Sequence, residues 1–169
     1  MTNRFLAGTL LCALLGFAPA AYAGGATHTY SNADFKGTDI EKFSGFVGGA
    51  TPFTAADALP QTGTGFVTAD GNGNFTAALI FNIGGNTCAG TVSGTYQVFS
   101  TGVGTSTGTF TPQSVPPGVP SSNYACPTQM TGAQDEAFAI VSRDLVNVIS
   151  IDGDSVASGT AERQGNHHD

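Results

Sequence analysis

From Gly65 to Ile83 the chain reads GFVTADGNGNFTAALIFNI, and its apolar and polar positions alternate with a period of two. Phe75, Ala77, Leu79, Phe81 and Ile83 share one face, and Asn74, Thr76, Ala78, Ile80 and Asn82 share the other. The Asp70-Gly71-Asn72-Gly73 segment between the two runs carries turn chemistry. The pattern predicts an antiparallel hairpin with one face on a core and one mostly toward water.

The same alternation recurs downstream. Between Thr91 and Ser100, Val92, Gly94, Tyr96 and Val98 oppose Thr91, Ser93, Thr95 and Gln97. Between Gly104 and Thr111 a row of threonines opposes Ser106, Gly108 and Phe110, which suits an exposed sheet face because β-branched side chains favour extended backbone. Ala137 to Ser142 and Leu145 to Ile151 form a denser apolar pair. Asp152-Gly153-Asp154 is a second turn signal, and Ser155 to Arg163 is the closing strand.

Upstream the pattern is mixed. Asp34 to Val47 reads as a strand, but Asp39, Glu41 and Lys42 interrupt its apolar residues. Gly48 to Thr62 reads as a loop, with a helical turn over residues 54–59 capped by Thr54. Pro112 to Pro127 holds five prolines and reads as a long loop. Seven or eight strands with almost no helix, joined hairpin by hairpin, predict a single up-and-down antiparallel β-barrel over residues 34–164. It is preceded by an N-terminal arm (24–33) and followed by a polar tail (165–169).

Residues 1–23 change the boundaries of the folded part. Arg4, the thirteen-residue apolar run Phe5 to Phe17 and the small residues up to Ala23 form the pattern of a secretory signal peptide cut before Gly24. The run is too short to span a bilayer. Cleavage would remove Cys12 and leave Cys88 and Cys126, an even pair that reads as a disulfide in an oxidising compartment. All twelve acidic residues but only four of the five basic ones lie beyond residue 23, so the mature charge is −8. Such a surface repels phosphate backbones, and no nucleic-acid partner is expected. No membrane span is expected after cleavage. The absence of tryptophan, the few tyrosines and the charged C-terminal end argue against a lipid-facing barrel.

Candidate chemistry is sparse. Asp70, Asn72 and Asn74 begin like a calcium loop, but Phe75 stands where glycine is required and Phe81 where a glutamate should chelate. Asp152-Gly-Asp154 reads in the same way, as a turn and not a calcium site. Asn74-Phe-Thr76 matches the N-glycosylation pattern. His167 and His168 read as a solvated terminus, and His28 falls in the arm. Acid–base work would fall to Asp135, Glu136, Tyr96 or Tyr124, whose spacing does not distinguish them from surface residues. No catalytic, metal-binding or cofactor-binding residue is assigned.

Four segments carry a resemblance: Tyr30 to Thr38 (YSNADFKGT), Phe66 to Phe75 (FVTADGNGNF), Ser93-Gly-Thr-Tyr96 and Ser158 to Gln164 (SGTAERQ). They resemble the recurring segments of a largely uncharacterised group of exported bacterial proteins similar to lipocalin-type or allene-oxide-cyclase-type β-barrels. The chain departs from that pattern at Asp39-Ile-Glu-Lys42, where an aromatic or aliphatic strand would follow. The resemblance implies fold and export but no catalytic residue.

The expected function is therefore that of a secreted or periplasmic, non-enzymatic barrel binding a small apolar ligand or a partner surface. The candidate interior comprises Phe75, Leu79 and Phe81, then Tyr96 and Val98, then Phe138 and Ile140. Two alternatives stand beside this expectation. One is a structural subunit of an extracellular assembly formed by self-association. The other is an isomerase or cyclase acting at the barrel mouth.

Overall fold

The computed structural model describes residues 28–48, 58–127, 133–153 and 155–165. The signal-peptide pattern, the expected Thr54 helical turn, Asp154 and His167-His168 lie outside these residues. Eight antiparallel strands follow one another around a closed barrel. They are β1 (Lys36–Val47), β2 (Leu59–Asp70), β3 (Asn74–Ile83), β4 (Asn86–Val98), β5 (Val103–Pro112), β6 (Ala133–Ser142), β7 (Leu145–Ser150) and β8 (Ser155–Arg163). The ring closes where β8 pairs with β1, from Asp39 opposite Arg163 to Val47 opposite Ser155. This is the closed up-and-down antiparallel architecture that the hairpin order predicts.

Several boundaries differ from the sequence expectation. Leu59 to Thr62 belongs to β2 rather than to a loop, since it pairs with the upper end of β1. Strand β6 begins at Ala133, earlier than the apolar run at Ala137, because its first residues face a partly polar interior. The first strand starts at Lys36, and residues 32–35 form a 3-10 turn instead. The residues before that turn are tied down. Tyr30 N–H donates to the Ser100 carbonyl at 3.3 Å, and Val98 N–H donates to the Asn32 side chain at 2.7 Å. His28 lies 2.7 Å from the Asp34 carboxylate, the first cause holding Asp34 below the usual carboxylate range.

The opening hairpin pairs in the register its alternation requires, with Val67 opposite Ala77 and Gly65 opposite Leu79. Its turn is organised by Asp70. One carboxylate oxygen accepts the N–H groups of Asn72 and Asn74 at 2.6 and 3.0 Å, and the other accepts the Asn74 side chain at 2.7 Å. These bonds hold the exposed Asp70 carboxyl down at about 2, and the loop uses the carboxylate to stabilise its own backbone. Gly71 and Gly73 take positive φ angles of 82° and 104°, which this turn requires.

Two buried clusters fill the barrel. The base, at the Asp70 turn, holds Phe35, Tyr96, Val98, Phe138 and Val146 among others. Phe35 plugs this end: its ring stacks on Phe138 at 5.0 Å and meets Tyr96 edge-on at 5.3 Å. The Tyr96 hydroxyl accepts Gly71 N–H at 3.0 Å and lies 3.1 Å from the Asn32 carbonyl, joining the 3-10 turn to the hairpin turn. The upper cluster is built around Val67, Phe81, Ile83, Cys88, Val92 and Phe110, all from β2 to β5. Rings fit because glycines face them across the ladder. A methyl group at Gly63 would overlap the Phe43 ring, and one at Gly90 would overlap Phe110.

Cys88, fully buried, is disulfide-bonded to Cys126, which draws the proline-rich segment along β4. Tyr124 reinforces this placement: its hydroxyl lies 2.6 Å from the Gln113 carbonyl, and Ala125 N–H donates to the Thr87 carbonyl at 3.0 Å.

Candidate functional site

The upper cluster takes no buried member from β6, β7 or β8. On that side the inward positions carry Gln134, Glu136 and Ser150, followed by Asp152, where a solid core would carry valine or phenylalanine. The interior is therefore incompletely filled, and a cavity of about 100 Å³ remains. One wall is apolar, formed by Val67, Ala77, Phe81, Val92 and Phe110. The opposite wall is polar and continues across the seam to Glu41 of β1.

Phe75, Leu79, Phe81 and Phe138 line this cavity, while Tyr96, Val98 and Ile140 pack in the base cluster. Tyr124 is engaged with backbone outside the cavity, and Asp135 falls on the outward row of β6 beside the inward Glu136. The outward rows of β4 and β5 are largely threonine and serine, whereas Phe46, Phe66, Ile80, Ile149 and Val156 stand exposed on other strands. No helix among the described residues is long and apolar enough to cross a membrane.

What sequence reasoning misses is Glu41 and its placement beside Glu136, which it names only as one of several undistinguished acid–base candidates. Glu41 is only 6 % exposed and makes no hydrogen bond or ion pair through its side chain among the described residues. Burial, with repulsion from Glu136 as a second cause, pushes its carboxyl up to about 8. Glu136 is raised as well, first by burial and then by Asp152, against the Ser106 hydroxyl that donates to it at 3.2 Å. Asp152 is occupied locally, accepting Asp135 N–H at 2.6 Å. Among the described residues no lysine, arginine or histidine lines the cavity. At neutral pH Glu41 is thus held mainly as the neutral acid, a proton donor facing an apolar space.

A signal for both residues was present in the chain. Glu41 shares strand parity with Phe43 and Val47, and Glu136 shares it with Phe138 and Ile140. Once those apolar residues face inward, the glutamates must do so too.

Asp39, one pleat below Glu41, has a different task. It is 1 % exposed, and the Arg163 guanidinium closes on it with Nε 2.9 Å from Oδ1, an ion pair without hydrogen-bond alignment. Arg163 also donates to the Lys36 carbonyl. Burial outweighs the arginine, so Asp39 is raised rather than lowered. This pair locks the β1–β8 seam. Arg163→Met strands the Asp39 carboxyl, and since Arg163 keeps some water contact the expected loss is about 2–3 kcal/mol. Urea unfolding checks it: Arg163→Met combined with Asp39→Asn should recover at least half of that loss, and a single variant as stable as wild type would exclude a structural role.

Among the described residues no three His, Cys, Asp or Glu side chains stand close enough to enclose a metal ion. No family model, no curated protein and no solved structure matches the chain.

Proposed function

We propose that this protein is an exported binding barrel that holds one small, largely apolar molecule in its interior. The observation that carries this reading is Glu41, a buried carboxyl without a partner, facing a cavity of about 100 Å³ whose other wall is aliphatic and aromatic. The Glu41 carboxyl opens onto the cavity without a protein hydrogen bond among the described residues, and a bound molecule carrying one polar group would supply one. Apolar walls with a few convergent polar groups are the usual make-up of small-molecule sites. The cavity is small for such a site, which sets the ligand's size. Export is supported by the disulfide, a bond that persists in oxidising compartments, and by the resemblance to exported bacterial barrels.

Native mass spectrometry of protein purified from its own host tests the reading. A bound small molecule is expected, and it should be lost in Ala77→Leu, which fills the cavity from the apolar wall. Protein that carries nothing, and whose amide spectra do not respond to small organic probes, would overturn it.

A second reading, an isomerase or cyclase, is favoured by the protonated Glu41 carboxyl, which can deliver a proton to a bound molecule. It requires that a molecule incubated with the protein be recovered chemically changed, and that Glu41→Gln return it intact.

A further inference from the structure

We propose that the interior site selects a protonated amine, its ammonium group between Glu41 and Glu136 and its short hydrocarbon chain against the phenylalanines. The proposal rests on the reading of the barrel as a binding protein and adds the chemistry of its ligand.

The first ground is the charge inventory of the cavity. Among the described residues its titratable lining groups are Glu41 from β1, Glu136 from β6 and Asp152 after β7. Strands β2 to β5, β7 and β8 add none, and Arg163 of β8 is held by Asp39. Two glutamates facing one space with no cation among its described lining residues is an unbalanced arrangement, and folding alone would favour replacing them with apolar residues.

The second ground is the missing partner. The Glu41 side chain, more than nine-tenths buried, has no hydrogen bond among the described residues, and Glu136 accepts only one, on Oε2 from Ser106. An ammonium group carries three donors and can serve both carboxyls at once, whereas a hydroxyl carries one. Its bonds to carboxylates are charge-assisted, roughly twice as strong as neutral ones.

The third ground is the opposite wall. Phe43, Phe75, Phe81 and Phe110 line the same space, and aromatic faces attract a cation while accepting a hydrocarbon chain. A divalent metal ion is the poorer occupant, because calcium needs six to eight oxygen ligands and this wall supplies carbon. Size fixes the scale. An apolar cavity of about 150 Å³ accommodates benzene, so 100 Å³ suits roughly four or five non-hydrogen atoms.

Binding has a proton consequence. The incoming ammonium favours the ionised form of both glutamates, so the proton held by Glu41 leaves to solvent when the amine enters.

Isothermal titration at pH 7 with n-butylammonium, n-butanol and butyrate separates the outcomes. The wild-type protein is expected to bind butylammonium at least tenfold more tightly than butanol and to reject butyrate. Proton release should appear as a dependence of the heat on the buffer's ionisation enthalpy. Glu41→Gln should bring butylammonium and butanol to within about threefold of each other while butanol binding persists, and Glu136→Gln should act in the same direction. Butanol or butyrate binding as tightly as butylammonium would overturn the amine assignment and leave the binding barrel standing. No heat from any of the three would overturn both.

Discussion

At pH 8 the Glu41→Gln barrel should be more stable than the wild type by on the order of 4 kcal/mol, and the two should converge near pH 4. The sign follows from the direction of the shift. The Glu41 carboxyl is raised from the usual 4.5 to about 8, so the folded protein holds its proton more tightly than the unfolded chain does. Its stabilising contribution is fully present below pH 4.5. It is lost as pH rises through the interval up to about 8, where the folded state must hold a buried charge or give up a proton against burial. Glu136 and Asp39, also raised, push in the same direction. Glutamine keeps the shape of the neutral acid and removes the titration. Urea midpoints between pH 4 and 9 provide the check. A wild-type profile that stays flat over this range, or one that Glu41→Gln leaves unchanged, would contradict the burial of Glu41 inside the barrel.

Replacing both Cys88 and Cys126 by alanine should cost about 4 kcal/mol. The bond closes a loop of sequence separation 38, and losing it frees that loop in the unfolded chain. The strands should survive the loss, because the eight-stranded ladder closes without residues 113–127. Denaturant unfolding of the wild type and double variant measures the loss. Hydrogen exchange should show residues 113–127 opening first, since the hydrogen bonds of Gln113, Tyr124 and Ala125 to Ala89 and Thr87 are then what holds that segment to β4. A difference below 1 kcal/mol would mean that those hydrogen bonds, and not the cross-link, keep the segment in place.

Sequence and structure agree wherever one physical rule acts alone. In β3, β4 and β5 the alternation of Phe75 to Ile83, of Val92 to Val98 and of the threonine row could be read directly, because a strand with one buried face permits no other pattern. In β1 two requirements compete. Asp39 and Glu41 occupy inward positions that the fold alone would give to apolar residues, so the strand's period is obscured at the residues that line the interior. In β6 the same conflict hides the first turn of pleat, and Glu136 passes for a surface acid beside Asp135.

By itself the chain determined an antiparallel barrel built hairpin by hairpin, its turn at Asp70 and the pairing of Cys88 with Cys126, because local alternation, glycine-rich turns and a small set of cysteines act over short or countable distances. Only the tertiary structure decided that the barrel is incompletely filled and that Glu41 and Glu136, far apart in sequence, face one interior that holds both carboxyls above their usual range. That depends on closure. A carboxyl on a strand is an ordinary solvated group until β8 meets β1 and encloses it, after which its burial, its neighbour and its chemistry are set by the far side of the ring.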